Sequence, residues 1–323
     1  MWLTVDHAVG IFGAGKLLPS RDAPVTFGTS QSETLLAGLI GRGIGLSRTP
    51  AMHMAEAEAQ GLSSLYRLLD MDAPERSQLG LAGILSACEA CGFDGLNVTY
   101  PYKIDVIELL DTLSDNARAV GAVNTVVLSQ GRRIGHNTDL WGFAESFRRG
   151  LEGSATDHAL LLGAGGAGVA VAHALADCGI ARLTIVDSDR GRAERLAEQV
   201  SRNRPGVTAQ ATDDPGAGIR RDPPDGIVNA TPMGMAKLPG MAIDAALIEP
   251  AMWVADIVYF PLETELLRVA RAKGCRVLPG SGMAVFQAVR AFELFTGRAA
   301  ESERMAATFE ALGAEPAPHP AGR

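Results

Sequence analysis

Three polar clusters stand where apolar segments ought simply to end: Ser47-Arg48-Thr49-Pro50, Asn97-Val98-Thr99-Tyr100-Pro101-Tyr102-Lys103, and Asn124-Thr125 with Asn137-Thr138-Asp139. Between them they carry hydroxyls, amides, one ammonium and one carboxylate. In open α/β sheets, ligands bind in the crevice outside the carboxyl ends of the strands, which is where each cluster would fall. Singly, each has a plainer reading: a Ser/Thr cap before Pro50, a strand stopped by Pro101, an Asn turn.

A fourth segment points to a dinucleotide. Leu160-Leu161-Leu162 runs into Gly163-Ala164-Gly165-Gly166-Ala167-Gly168, and about twenty residues later the strand-like 183–186 ends on Asp187. Glycines after a buried strand let the backbone turn tightly and approach a pyrophosphate, whose charge then rests on the free N–H groups of the helix from Ala167 to about Cys178. A glycine-rich helix start alone is a weak signal, because packing also selects it; the strand before, the apolar helix after and the spaced acid strengthen it. Asp187 suits the adenosine ribose hydroxyls, whereas the extra phosphate of NADP would meet a like charge, at a cost on the order of 4 kcal/mol at ~4 Å and an effective dielectric near 20. NAD is therefore expected. Arg190 and Arg192, just downstream, are the residue type that clamps phosphates; the other reading makes them solvated charges in the first turn of a helix, with Glu194 and Arg195.

The elements that must position these residues alternate. Short β runs are expected at 35–40, 64–70, 95–98, 122–128, 160–162, 183–186, 226–228, 253–258 and 276–278, with helices at 50–60, 79–91, 103–110, 167–178, 192–203, 263–273 and 284–295. Alternation of this kind means α/β architecture, a mainly parallel sheet with helices on its faces. Two domains are expected: an N-terminal mainly parallel α/β substrate domain over 33–138, completed by a C-terminal helix over 283–311, and a Rossmann-type dinucleotide-binding domain over 139–282. The last helix carries an apolar face of Val285, Val289, Phe292 and Phe295 that should return to the first domain. The turn-rich 1–32 reads as a disordered extension, and 312–323, rich in Pro, Ala and Gly, as a disordered tail.

Bulk composition excludes several classes. The chain has 323 residues, 47% hydrophobic and 20% charged, with a net charge of −8 spread over interspersed acids. No basic stripe suggests nucleic acid, and the longest apolar run, 159–172, is broken by four glycines and too short to span a bilayer. The first twenty residues include Asp6 and no early cationic region, unlike a secretory signal, so a cytoplasmic location is expected. Cys88, Cys91, Cys178 and Cys275 suggest no disulfide framework, and Cys88-Glu89-Ala90-Cys91 lacks the further ligands a metal needs, so these are read as core or helix-end fillers. The six histidines form no metal-ligand spacing, and no metal is expected.

In order along the chain, Gly45-Leu46-Ser47-Arg48-Thr49-Pro50-Ala51-Met52-His53, Gly95-Leu96-Asn97-Val98-Thr99-Tyr100-Pro101-Tyr102-Lys103, Gly121-Ala122-Val123-Asn124-Thr125, Asn137-Thr138-Asp139, the glycine turn, Asn229-Ala230-Thr231-Pro232-Met233-Gly234-Met235 and Gly282-Met283 with Gln287 resemble the shikimate and quinate dehydrogenases over about residues 33–311. The resemblance implies that Ser47 and Thr49 hold the substrate carboxylate, that Thr99, Asn124 and Gln287 hold ring hydroxyls, that Tyr259 also binds the substrate, and that Lys103 and Asp139 form a catalytic pair. It further implies a cofactor site lined by Gly163, Gly165, Gly166, Ala167, Asp187, Arg192, Ala230, Thr231, Pro232, Met233, Val258 and Gly280. Two departures matter: Leu46-Ser47-Arg48-Thr49 replaces the His-Ser-x-Ser of the common shikimate enzymes, and Asp187-Ser188-Asp189 replaces their Asn-Arg-Thr or Asn-Arg-Ser. Both look like the NAD-linked quinate/shikimate branch known from actinobacteria.

The chemistry agrees with the residue types. Removing a hydride from a secondary alcohol needs a group that takes the hydroxyl proton as the carbonyl forms, and Lys103 is placed for that. Asp139 beside it would fix the ammonium and let it stabilise charge on the reacting oxygen. The expected activity is NAD-dependent, reversible oxidation of quinate and shikimate at the C3 hydroxyl, by a monomer or homodimer. The alternatives are an aminoshikimate-type enzyme, an NADP-dependent biosynthetic shikimate dehydrogenase, and a non-catalytic sensor. Retention of both Lys103 and Asp139 argues against the last.

Overall fold

The computed structural model describes residues 34–312; the expected extension and tail, Leu312 aside, lie outside the described residues. The chain opens with β1 (Thr34–Gly41), α1 (Thr49–Ala59), β2 (Ser63–Asp70), α2 (Pro74–Ala90) and β3 (Gly95–Val98). It continues through β4 (Thr112–Leu113), α3 (Asp115–Val120), β5 (Thr125–Ser129), β6 (Arg132–His136) and α4 (Thr138–Gly150). A second series follows: β7 (His158–Leu162), α5 (Gly166–Asp177), β8 (Arg182–Val186), α6 (Arg190–Asn203), β9 (Thr208–Ala211), α7 (Pro215–Arg221), β10 (Gly226–Asn229), β11 (Trp253–Asp256), α8 (Glu265–Ala272) and β12 (Arg276–Leu278). Helices α9 (Ser281–Thr296) and α10 (Ser302–Ala311) complete it.

The first sheet has the order β2-β1-β3-β5-β6-β4 and is mixed. Its pairings β1–β2, β1–β3 and β4–β6 are parallel, as the alternating pattern implies, but β5 pairs antiparallel with both β3 and β6. The cause is local. Gln130 (φ 53°) and Gly131 (φ 70°) form a two-residue turn with both central residues left-handed, which suits a tight hairpin and forces β6 back along β5. The second sheet, β12-β11-β10-β7-β8-β9, is parallel throughout and reverses direction of winding between β7 and β10, the order of a dinucleotide-binding sheet.

Several expected elements differ. The helix expected over 103–110 is a short 3-10 turn at Asp105–Leu109, which leaves Lys103 outside it. The helix expected over 283–311 is two, because Gly297 (φ 67°) ends α9 in a left-handed C-cap. Its apolar face returns as expected: Ala291, Phe292 and Phe295 pack with Leu35, Ala37 and Leu39 of β1, and Val285 and Val289 pack with Met52 of α1 and Met305 and Phe309 of α10. Buried Glu56 of α1 anchors α10, accepting from Glu301 N at 3.0 Å and Arg304 Nη1 at 2.7 Å. All four cysteines are unpaired, with Cys91 and Cys178 at helix C-caps. No helix among the described residues is long and apolar enough to cross a membrane.

Candidate active site

Strands β1 and β3 run parallel with Ile40 opposite Val98, so the loops leaving their carboxyl ends lie side by side. Thr99 N donates to Ile40 O at 2.9 Å and Arg42 N to Tyr100 O at 3.1 Å. Asp70, ending β2, accepts from Gly43 N and Ile44 N at 3.2 Å and fixes the loop that leads to α1. There Ser47 Oγ accepts from Thr49 N at 3.3 Å, while Arg48 at the cap position contributes no side-chain bond to the helix. The Thr49 hydroxyl has no partner among the described residues. Ser47 thus serves the first N–H of the helix, Pro50 offers none, and the Thr49 hydroxyl with the Ala51 N–H is left for an anion.

Arg48 turns to other work. Its Nη1 donates to Phe309 O at 3.0 Å and its guanidinium stacks 4.6 Å from the Phe309 ring centroid and 5.9 Å from that of Phe260. Tyr259 meets the same Phe309 edge-on at 5.8 Å. The loop before α1, the loop after β11 and α10 are thereby joined, which brings the segment bearing Tyr259 to the segment bearing Ser47 and Thr49.

Lys103 lies in the turn after β3, its carbonyl accepting from Val123 N at 2.8 Å. Asn137 caps α4, accepting from Leu140 N at 3.0 Å, and donates its Nδ2 to Ala122 O at 3.0 Å. That sets Asp139 in the first turn, where the helix N-terminus favours a carboxylate. Lys103 Nζ and Asp139 Oδ2 meet at 2.7 Å, with side chains 28% and 13% exposed. A charge-assisted bond therefore forms at the edge of the core, still open to a ligand on one side.

A buried polar network lies beneath this pair. Asn124 Oδ1 accepts from Thr138 N at 2.7 Å and Asn124 Nδ2 donates to Thr138 Oγ1 at 3.0 Å. Asn97 donates to Thr125 Oγ1 at 3.1 Å and accepts from the Tyr66 hydroxyl at 2.7 Å. The amino end of α4 is thus tied through five side chains to β3, β5 and β2. Gln287 arrives from α9, and Gly142 permits the approach: a Cβ there would lie 2.7 Å from Gln287 N. One turn separates Gly142 from Asp139, so Gln287 reaches the helix that carries the acid.

On the second sheet, Gly163 has φ 101° and a Cβ on it would lie 2.8 Å from Ala230 O, so only glycine lets the β7 and β10 loops touch. Gly165 caps α5 with no side-chain bond, and a Cβ at Gly165 or Gly166 would meet nothing within 4 Å. Free N–H groups at a helix start facing open space fit a pyrophosphate. Asp187 Oδ2 accepts from Ala164 N at 2.8 Å and Oδ1 from Asp189 N at 2.8 Å. Burial pushes its pKa up, but these donors and Arg192 outweigh that and hold it below the usual carboxylate value. Gly280 packs its backbone against Ile257 and Val258, where a Cβ would lie 2.4 Å from Ile257 O.

Comparison with known proteins bears on this arrangement. Residues 39–126 match the shikimate dehydrogenase substrate binding domain, and residues 280–308 match the shikimate 5'-dehydrogenase C-terminal domain. A shikimate dehydrogenase (NADP(+)) of Streptomyces avermitilis is 52% identical over 281 residues, covering 87% of this chain and 96% of that protein. The chain belongs to the shikimate/quinate dehydrogenase family. A quinate/shikimate dehydrogenase (NAD(+)) of Corynebacterium efficiens is 46% identical over 281 residues, 87% of this chain and 99% of that one. Quinate dehydrogenase from Corynebacterium glutamicum in complex with NAD superposes with a TM-score of 0.83 at 45% identity, covering 86% and 99% of the two chains. Sequence reasoning names Asn97, Thr125 and Thr138 only as members of the polar clusters, with no role of their own, although they carry the buried network, and it absorbs Asp256 into a strand drawn to Val258. The signal for the last was present: a carboxylate closing a wholly buried strand.

Proposed function

We propose that this family member oxidises quinate and shikimate at the C3 hydroxyl, with NAD as its cofactor, to 3-dehydroquinate and 3-dehydroshikimate. NAD supplies the hydride acceptor. Lys103 Nζ takes the hydroxyl proton as the carbonyl forms while passing one of its own protons to the Asp139 carboxylate 2.7 Å away, so the ammonium stays against the oxygen that gains charge and Asp139 ends the step protonated. Ser47 and Thr49 take the ring carboxylate, Thr99, Asn124 and Gln287 the ring hydroxyls, and Tyr259 closes the cleft from the cofactor side. The glycine turn with Ala167, the 230–233 segment, Val258 and Gly280 line the dinucleotide, and Asp187 takes the adenosine ribose.

One observation carries the choice of NAD. Asp187 follows β8 as an anion, its two oxygens held by Ala164 N and Asp189 N at 2.8 Å, so a 2′-phosphate on the ribose it takes would meet a like charge; the exposed pairs Arg192–Asp189 and Arg190–Glu194 add little to this choice. The Streptomyces relative's NADP(+) name favours a second reading, a biosynthetic NADP-linked enzyme. That reading requires Arg190 or Arg192 to leave its partner and accept a phosphate beside anionic Asp187. Incubation with quinate and NAD, with the product identified by NMR, tests the proposal. Appearance of 3-dehydroquinate with matching NADH supports it, and no turnover of either acid with NAD contradicts it.

A further inference from the structure

Strand β11 ends on Asp256, which is 2% exposed and has no cationic partner among the described residues. Its carboxylate accepts three hydrogen bonds: Asn229 Nδ2 at 2.9 Å and Val258 N at 3.0 Å on Oδ1, and the Thr264 hydroxyl at 2.7 Å on Oδ2. Asn229, ending the neighbouring β10, also donates to Met233 O at 2.9 Å. Its Oδ1 accepts from Thr231 N at 3.1 Å and from the Thr231 hydroxyl at 2.6 Å, and Thr231 Oγ1 accepts in turn from Met233 N at 3.2 Å. The segment 229–233 is thus folded around one amide and the segment 256–264 around one carboxylate, and the Asn229–Asp256 bond joins them.

A buried carboxylate without a counter-ion is expensive, and burial here pushes the pKa up to about 6. An asparagine would make a similar number of bonds at less cost. What it lacks is a second acceptor oxygen: an ionised carboxylate accepts at both oxygens, and it holds the Asn229 amide in the orientation that Met233 O and Thr231 N set. Asn229 and Val258 N donate to one oxygen and the Thr264 hydroxyl to the other, so an amide at 256 must face its NH₂ to one of these donors and at least one of the three bonds is lost or reversed.

We infer that Asp256 is a positioning residue for the reaction, whose acceptor-only carboxylate fixes the Asn229 amide and so holds the 230–233 segment in register with the loop carrying Val258 and Tyr259. The inference rests on the proposed function, in which both segments line the cofactor. It accounts for a buried titratable group that the chemistry itself does not use.

The test compares wild type, Asp256→Asn and Thr264→Val as full-length proteins, measuring the Kd of NAD in the absence of substrate, the quinate KM and kcat, and the melting temperature. Asp256→Asn should raise the NAD Kd about tenfold or more, the scale of one lost hydrogen bond to a charged group. Thr264→Val, which removes the hydroxyl donor to Asp256 Oδ2 and is not a cofactor-lining residue, should raise it at least about threefold, the scale of one hydrogen bond lost from the anchoring carboxylate. A purely structural role lowers the melting temperature and leaves Kd within twofold in the folded variant, and that result overturns the inference. Should Asp256→Asn fail to fold, Thr264→Val decides: a raised Kd supports the inference and an unchanged one overturns it. Wild type that binds no dinucleotide sinks the function reading together with this one, whereas an active wild type with unaffected variants sinks this one alone.

Discussion

Thr49→Val separates anion recognition from helix capping at a single atom. The Thr49 hydroxyl has no intramolecular partner among the described residues, and the residue's own N–H is served by Ser47 Oγ at 3.3 Å. Valine keeps the shape and the branched Cβ, so the free protein loses no hydrogen bond and its melting temperature should hold. A bound carboxylate loses one donor, worth ~1.5–3 kcal/mol for a charged acceptor, which at ~1.4 kcal/mol per decade means a rise in KM of about ten- to hundredfold. kcat should change less, because Lys103 and Asp139 are untouched. Ser47→Ala differs in kind: it also strips the Thr49 N–H of its acceptor, so a rise in KM should come with up to ~1 kcal/mol of stability loss. Initial rates against quinate and shikimate, with thermal melts on the same samples, make the comparison. A substrate amide should bind wild type poorly and lose little further on mutation. Unchanged KM in folded Thr49→Val would place the carboxylate elsewhere, and with it the orientation of the ring relative to Lys103.

Lys103→Ala should cut kcat by about 10²–10⁴-fold with the Kd of NAD unchanged, and Asp139→Asn should act in the same direction, since the pair touches at 2.7 Å; near wild-type turnover by either variant contradicts the assignment. Asp187→Asn should weaken NAD binding and relax discrimination against NADP, read as kcat/KM for both cofactors; an unchanged ratio would move selectivity to other residues. His53, buried among Tyr66, Phe292 and Phe295, is pushed down to about 3 by desolvation, whereas an unfolded histidine titrates near 6.5. Between those values the unfolded chain binds the extra proton, so this contribution to stability is complete above about pH 6.5 and falls by up to ~1.4 kcal/mol per unit as pH drops. His53→Phe should therefore lose less melting temperature than wild type between about pH 7 and 5, and equal slopes would show that His53 does not govern the acid limb.

The dinucleotide half of the fold was legible because its signals are local: a buried strand, glycines the backbone geometry demands, and an acid one strand later. The polar clusters were legible as motifs, yet their division of labour was not. Asn137, Thr138 and Asp139 are adjacent, and the sequence gives no way to tell that the first caps α4, the second binds Asn124 and only the third faces Lys103. Arg48 sits between two residues proposed to bind the substrate, but its partner Phe309 lies on α10, 261 residues away. The β5–β6 hairpin hid behind Gln130, an unusual residue for a left-handed turn position: the expected strand stops at 128, no strand is expected over 132–136, and the antiparallel part of the first sheet stays hidden. Strand ends are where propensity is least informative, and Asp256 was lost there. For Thr138, Asp139, Arg48 and Asp256 the deciding contact is made between segments distant along the chain.

The central claim is NAD-linked oxidation of quinate and shikimate by the Lys103–Asp139 pair, and four kcat/KM values test it most directly: each acid with NAD and with NADP. With Asp187 anionic, NAD should lead NADP by about a hundredfold or more for either acid, the scale of a few kcal/mol of like-charge contact. Equal or higher kcat/KM with NADP would contradict the account.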